Sequence, residues 1–251
     1  MTALGAKVGH EAPGIRGAAA GEPQPAPQGA VRLRDGKTEA IARCLRRSIP
    51  YQPRRILVAG CGSGLEAAIL AQELGAHTTG IDTSADFDPA HGALATLRQG
   101  DATSLEFADR SFDLVYSYHA LEHIPRYLAA LSEMRRVLAD DGWYCVGTPN
   151  RLRLLGYMGS KDASALQKLL WNAKDWSARL RGRFRNEYGA HAGFSAEELG
   201  AALASVFSSV QNITLQYYLE VYADNARLLG LVQAMGIERF LFPSVYFIGR
   251  R

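Results

Sequence analysis

A glycine-rich turn lies between an apolar run and a helix-forming run, and this order constrains the fold more than any other feature of the sequence. The apolar run covers residues 56–59, the turn residues 60–64 and the helix-forming run residues 65–74. Glycines permit a tight turn and let a ligand approach the backbone closely. The start of a helix adds free N–H groups and a partial positive charge. The stretch therefore predicts a strand, a turn and a helix that together suit a nucleotide-like ligand.

A second predicted strand, residues 78–81, ends at Asp82. The gap from Gly60 to Asp82 is close to the roughly 20 residues that separate a glycine turn from an acidic ribose ligand in a βαβ unit. A carboxylate there can accept hydrogen bonds from both ribose hydroxyls and would repel a 2′-phosphate. A glycine turn alone is also compatible with a loop that binds nothing, but Asp82 favours a ligand with an unphosphorylated ribose.

Strand-like and helix-like segments alternate along most of the chain. The predicted strands cover residues 55–59, 78–81, 96–99, 112–117, 143–148, 210–218 and 244–250. The predicted helices cover residues 38–47, 65–74, 90–94, 127–138 and 223–235. This alternation predicts an α/β fold: a seven-stranded, mostly parallel, doubly wound Rossmann-like sheet with helices on both faces. We expect one of the last two strands to be antiparallel.

The length of 251 residues fits one α/β domain with an insertion. Residues 1–30 are rich in Ala, Gly, Pro and Gln and are predicted to be a disordered tail, which leaves residues 31–251 as the domain. Cys44, Cys61 and Cys145 lack metal-type spacing, so we expect no metal site, and an odd set of distant cysteines favours the cytoplasm. No apolar run reaches the roughly 18 residues of a membrane span.

Six short motifs follow one another along the chain. They are VAGCGSG at 58–64, GID at 80–82, GDA at 100–102, SFDLV at 111–115, HALEHI at 119–124 and LADDG at 138–142. With these motifs the chain resembles a class I S-adenosylmethionine-dependent methyltransferase of the small-molecule type related to quinone-biosynthesis enzymes. The resemblance is close over residues 54–150 and looser over residues 194–251.

The resemblance implies S-adenosylmethionine as the cofactor and S-adenosylhomocysteine as its product. The turn would wrap the methionine part of the cofactor through Gly60, Cys61, Gly62 and Gly64. Asp82 would bind the ribose hydroxyls, with Thr83 beside it in the cofactor site. Asp101 would accept from the adenine amino group and the Ala102 N–H would face the ring. Tyr118 would line the methionine pocket.

One family position departs from the pattern. The family usually has an acidic residue two places before the first glycine, where it helps to hold the charged amino group of the cofactor. This chain has Val58 there. Glu66 or a backbone carbonyl is the expected replacement.

Two other functions fit part of the pattern. A nicotinamide-dependent oxidoreductase also uses a glycine turn and a ribose-binding acid, but its fingerprint requires a glycine or alanine where this chain has Leu65. The motif at residues 100–102 has no role in that enzyme. A protein that binds S-adenosylmethionine without turnover remains the other alternative.

Methyl transfer from a sulfonium is an in-line displacement that needs a base only when the acceptor must lose a proton. His119, Glu122 and His123 follow the fourth predicted strand, near the expected methyl group, and His123 resembles a recurrent family position. His191 lies between two glycines in a predicted loop. Each of the three histidines is a candidate catalytic residue, and each is equally compatible with a packing role.

Residues 151–190 form a long basic connection, and we predict that residues 151–193 are a helical lid at the acceptor site. Apolar residues share one face of its predicted helix: Leu166, Leu169, Leu170, Ala173, Trp176 and Leu180. The basic residues are Lys161, Lys168, Lys174, Arg179, Arg181, Arg183 and Arg185. A covering helix with a solvated basic face is the alternative. We expect a small-molecule acceptor, anionic or lipid-like, rather than a nucleic acid, because no aromatic platform interleaves the basic residues.

Overall fold

Seven strands form one sheet in the computed structural model of the chain. They are β1 (Arg55–Ala59), β2 (His77–Asp82), β3 (Thr96–Gln99), β4 (Phe112–Tyr118), β5 (Leu138–Pro149), β6 (Gln211–Asn212) and β7 (Ser244–Arg250). Their order across the sheet is β3-β2-β1-β4-β5-β7-β6. Strands β1 to β5 pair in parallel, whereas β7 pairs antiparallel with both β5 and β6. The predicted seven-stranded, mostly parallel sheet is confirmed.

The structure describes residues 32–157, 163–186 and 192–251. The tail predicted for residues 1–30 lies outside the described residues, and so does His191. Residues Leu33–Arg251 belong to one compact unit.

Nine α-helices occur in the described part of the chain. They are α1 (Gly36–Ser48), α2 (Leu65–Leu74), α3 (Pro89–Gly92), α4 (Tyr127–Val137), α5 (Ala165–Leu180), α6 (Ala196–Ala204), α7 (Thr214–Val221), α8 (Ala226–Ala234) and α9 (Glu238–Leu241). A 3₁₀ turn, Leu121–His123, follows β4. No helix among the described residues is long and apolar enough to cross a membrane.

Strand β1 is apolar along its length because helices cover both faces of the sheet. Ile56 and Val58 belong to a core shared with α1, α2 and α7, whereas Leu57 and Ala59 belong to a core shared with α4 and α6. All four residues are fully buried. Such a continuous apolar run is expected for a central parallel strand, in which alternate side chains face opposite layers.

The strand predicted over residues 210–218 is wrong, because only Gln211 and Asn212 are extended and α7 begins at Thr214. The Asn212 carboxamide accepts a hydrogen bond from the Thr214 amide at 2.9 Å, which favours a turn at this point. The aromatic residues that suggested a strand, Tyr217 and Tyr218, are instead buried on a helix. Tyr217 packs on Tyr246 of β7, with ring centroids 4.1 Å apart.

Candidate active site

The parallel strands β1 to β4 end at the same edge of the sheet, and the predicted cofactor residues follow those ends. Each spaced glycine of the turn after β1 has a positive φ: 76° at Gly60, 52° at Gly62 and 91° at Gly64. A Cβ on Gly60 would lie 2.2 Å from the Cβ of Ala120, so the turn packs tightly against the residues after β4. A Cβ on Gly62 would meet nothing within 4 Å, so this glycine faces open space.

The Asp82 carboxylate joins the end of β2 to the glycine turn. One carboxylate oxygen accepts from the Gly62 amide at 2.8 Å, and the other accepts from the Ser84 amide at 3.0 Å. The side chain remains partly exposed. The Asp82 carboxylate is therefore fixed beside the turn and can accept further hydrogen bonds from a diol.

Asp101 follows β3 and is exposed. Its carboxylate accepts from the Thr103 amide at 2.7 Å, and this bond lowers the pKa of Asp101 below its ordinary value. The carboxylate is thus an ionised acceptor at neutral pH. Ala102 is buried beside it, and Thr83 is exposed in the neighbouring loop, where its carbonyl accepts from Gln99 at 2.9 Å.

Tyr118 is the last residue of β4 and stacks on Tyr246, with ring centroids 5.4 Å apart. Burial raises the pKa of Tyr118 to about 12, so its hydroxyl stays protonated and can donate a hydrogen bond. Burial likewise raises the pKa of Cys61 to about 12, which suits a packing residue rather than a reactive thiol. Within the described residues, no group of His, Cys, Asp and Glu side chains is placed to hold a metal ion.

Val58 is fully buried in the core, so it cannot face a ligand. Glu66, in the first turn of α2, is half-buried, and burial together with the nearby Asp35 raises its pKa to about 8. Its charge also acts on Tyr118, which places the two groups within electrostatic range. A carboxyl with this pKa is half-protonated near pH 8 and would gain from a cationic neighbour.

The structure positions two of the three candidate histidines near the end of β4. His119 is exposed, has a φ of 51°, and places its Nε2 3.2 Å from the Ser244 hydroxyl. The side chain of His123 is 50% exposed, and its Nε2 lies 3.9 Å from a carboxylate oxygen of Glu122. His191 lies outside the described residues.

Glu122 differs from its histidine neighbours because it is buried. Neither carboxylate oxygen of Glu122 has a hydrogen-bond partner among the residues that the structure describes. Burial raises its pKa to about 7, an effect that the positive charge of Arg153 opposes. A buried carboxyl that lacks a hydrogen bond is costly to fold, so this group is a functional candidate. The sequence places Glu122 near the methyl position, but its burial depends on distant contacts that the motif does not reveal.

Comparison with known proteins agrees with this geometry. Residues 57–146 match the family model described as a methyltransferase domain. The chain contains a class I S-adenosylmethionine-dependent methyltransferase domain. This confirms the family predicted from the six motifs.

Individual relatives extend the match beyond the methyltransferase domain. The chain is 33% identical over 125 residues to the ubiquinone biosynthesis O-methyltransferase of Cereibacter sphaeroides, an alignment of 45% of this chain with 50% of that protein. It is 26% identical over 221 residues to the trans-aconitate 2-methyltransferase of Methylobacterium radiotolerans, covering 85% of this chain and 80% of that protein. The chain spans about a third of the length of several other curated relatives.

The solved structure of the YcgJ protein from Bacillus subtilis has the same fold. It is 16% identical, with a TM-score of 0.53, and the match covers 84% of this chain and 97% of that one. The shared fold therefore extends over the sheet and its helices. The roles assigned to individual site residues stay predictions.

Proposed function

We propose that this protein transfers the methyl group of S-adenosylmethionine to a small-molecule acceptor. The observation that carries the proposal is the alignment of the glycine turn, Asp82 and Asp101 at the carboxyl ends of three adjacent parallel strands. Open α/β sheets bind ligands at this edge. The fixed Asp82 carboxylate suits the ribose hydroxyls, and the ionised Asp101 carboxylate suits the adenine amino group.

The methionine end of the cofactor would lie toward Gly62 and Tyr118. Gly62 leaves open space beside the backbone. Glu66 is the acidic group we propose for the cofactor's ammonium, in place of the carboxylate that Val58 cannot supply. A cation beside Glu66 would lower its raised pKa, so binding and proton loss would be coupled.

Methyl transfer would proceed by in-line displacement. The acceptor atom attacks the methyl carbon, the bond from that carbon to sulfur breaks, and a neutral thioether leaves. Because the leaving group needs no proton, positioning supplies most of the acceleration. If the methyl acceptor must lose a proton, we propose that Glu122 or His123 takes that proton. His119 and His191 remain candidates for the same task.

We propose that residues 151–193 shape the acceptor site within a domain of residues 31–251. Arg153 is buried and pairs with Asp175 of α5 at 3.3 Å, and its charge also acts on Glu122. This arrangement links the basic segment to the end of β4. The basic side chains of the segment favour an anionic or lipid-like acceptor. We expect the protein in the cytoplasm, where the buried thiols of Cys44, Cys61 and Cys145 would stay reduced.

Two measurements test this function. Calorimetric titration should detect binding of S-adenosylhomocysteine and none of NAD⁺ at the same concentration. Transfer of a labelled methyl group from S-adenosylmethionine to a small-molecule extract should then occur. Absence of S-adenosylhomocysteine binding at millimolar ligand would contradict the proposal, whereas binding without transfer would indicate a protein that only binds the cofactor.

The acceptor-site role of the basic segment needs its own test. Replacing residues 163–186 with a short Gly–Ser linker should abolish transfer and leave S-adenosylhomocysteine binding intact. Retained transfer would show that α5 does not shape the acceptor site.

A further inference from the structure

Helix α5 presents its leucines to solvent rather than to the rest of the protein. Five exposed apolar residues share one face: Leu166, Leu169, Leu170, Trp176 and Leu180. Trp171 is 39% exposed, lies off this face and packs against Tyr157, with ring centroids 5.1 Å apart. Leu166 and Leu169 are each 65% exposed, and Leu180 is 88% exposed. A surface helix of a globular protein normally turns such a stripe toward the core.

The polar face of α5 attaches the helix to residues 151–157. The Asn172 carboxamide accepts from the Gly156 amide at 2.7 Å and donates to the Gly156 carbonyl at 3.2 Å. The Arg179 guanidinium donates to the carbonyls of Arg151 and Arg153 at 2.8 and 2.7 Å. Because the polar side chains make these contacts, the leucines of α5 point away from residues 151–157. Trp176 lies at the edge of the leucine face, and its indole N–H donates to the Leu154 carbonyl at 2.9 Å.

A buried ion pair fixes this orientation. Asp175 is the buried residue of α5, and it pairs with Arg153 at 3.3 Å. The Tyr157 hydroxyl also donates to Asp175, at 3.2 Å. Rotating the helix to bury its leucines would leave Arg153 and Asp175 without each other, which is strongly unfavourable for buried charges. The exposed apolar face is therefore built into the packing.

Basic residues accompany the apolar face. Within residues 163–186 Asp175 is the acidic residue, and the basic residues are Lys168, Lys174, Arg179, Arg181, Arg183 and Arg185. Arg181, Arg183 and Arg185 are exposed, and none forms an ion pair with a carboxylate in the part of the chain that the structure describes. Exposed leucines and tryptophan beside cationic side chains are typical of helices that lie on anionic membranes.

We propose that α5 and the adjoining arginines bind the surface of a membrane that contains anionic lipids. The leucines would enter the boundary between head groups and acyl chains, with Trp176 at the edge of the inserted face, and the arginines would contact lipid phosphates. An anionic membrane complements both the positive charge of the arginines and the apolar leucines. A polyanion such as nucleic acid would match the charge but would leave the leucines exposed to water. Surface attachment is independent of methyl transfer and does not rest on the proposed function.

Co-sedimentation of the full chain with lipid vesicles, without cofactor, tests the proposal. The protein should sediment with vesicles of phosphatidylcholine mixed with phosphatidylglycerol, and far less with phosphatidylcholine alone. Leu166→Glu should weaken binding by about tenfold or more. The matched control is Leu128→Glu on α4, a leucine that is 47% exposed, and it should bind like the unaltered chain.

The cationic contribution is tested by a second pair of variants. Arg181→Glu/Arg183→Glu should weaken vesicle binding by at least about 25-fold, since the loss of each cation near the surface costs roughly fivefold and the added carboxylates are repelled by the anionic lipids. Lys37→Glu/Arg54→Glu, a charge reversal of the same size at exposed residues elsewhere, is the control.

Three outcomes would overturn the proposal. The unaltered chain could fail to sediment with anionic vesicles, or Leu128→Glu could weaken binding as much as Leu166→Glu. Alternatively, the arginine pair could matter while Leu166→Glu does not, which would indicate nonspecific attraction to any polyanion. All substituted residues are exposed, and circular dichroism would verify that each variant is folded.

Discussion

The Asp82 carboxylate accepts a hydrogen bond from the Gly62 amide at 2.8 Å, and this bond joins the end of β2 to the glycine turn after β1. Asp82 therefore has a structural task before any ligand arrives. The same carboxylate is the group we propose for the ribose. A substitution of Asp82 should therefore affect both ribose binding and the geometry of the glycine turn.

Asp82→Asn keeps the size of the side chain and removes its charge. We expect S-adenosylhomocysteine binding to weaken by roughly 1.5–3 kcal/mol, because charge-assisted hydrogen bonds are lost. The free energy of unfolding should fall by only about 1 kcal/mol, since the Gly62 amide can still bond the Asn oxygen. Calorimetric titration and urea unfolding measure the two effects. Asp86→Asn in the same loop is the control, and equal affinities for the two variants would remove Asp82 from the site.

Gly60 and Gly62 differ in what surrounds them, so alanine at each position should have a different effect. Gly60→Ala should lower the free energy of unfolding by about 2 kcal/mol or more, because its Cβ would clash with Ala120 at a positive φ. Gly62→Ala should cost only about 1 kcal/mol of stability, since its Cβ meets open space.

The affinity of the Gly62→Ala variant for S-adenosylhomocysteine tests whether the glycine turn binds the cofactor. A Cβ there would occupy space that the methionine part of the cofactor needs, so S-adenosylhomocysteine binding should weaken at least about tenfold. Unaltered affinity in a folded Gly62→Ala variant would show that the turn does not wrap the ligand.

The cofactor half of the site can be predicted from the sequence because each of its residues lies close in sequence to the end of a strand. Glycines and acids that directly follow strands fall at one edge of a parallel sheet, whatever the rest of the chain does. The orientation of α5 is different. Periodicity shows that an apolar face exists, but the Arg153–Asp175 pair decides that it points outward, and that pair joins residues 22 positions apart. Similarly, Tyr217 and Tyr218 have the propensity of a strand, and packing against β7 places them in a helix.

Glu66→Gln should change how stability depends on pH. The pKa of Glu66 is about 8 in the folded protein and 4.5 ordinarily, so the folded state binds an extra proton between these values. The free energy of unfolding contributed by Glu66 therefore falls as pH rises from about 4.5 to about 8 and then stays level. The variant should lack this decline and exceed the unaltered protein by up to about 5 kcal/mol above pH 8. Urea unfolding across this range measures the difference, and parallel pH profiles would contradict it.

The same variant tests the proposed ammonium contact. Ionised Glu66 attracts a cation, so S-adenosylhomocysteine should bind the unaltered protein more tightly as pH rises toward 8. Glu66→Gln should bind more weakly and lose this trend. Calorimetry in two buffers of different ionisation enthalpy would reveal the proton released on binding, and equal proton release in both proteins would exclude Glu66.

Glu122→Gln tests whether the buried carboxylate removes a proton from the molecule that receives the methyl group. Its pKa of about 7 means that the carboxylate, the form able to take a proton, accumulates as pH rises through neutrality. The single-turnover rate of the unaltered protein should therefore rise through pH 7, whereas the variant should be slower by about 10²–10⁴-fold without that rise. S-adenosylhomocysteine affinity should be unchanged, since the proposed cofactor contacts do not include Glu122.

His123→Gln is the companion variant. If it alone abolishes the rise of the rate with pH, the group that takes the proton is the exposed imidazole, and Glu122 is only its neighbour. If both variants keep the rate within about threefold, positioning alone accounts for catalysis.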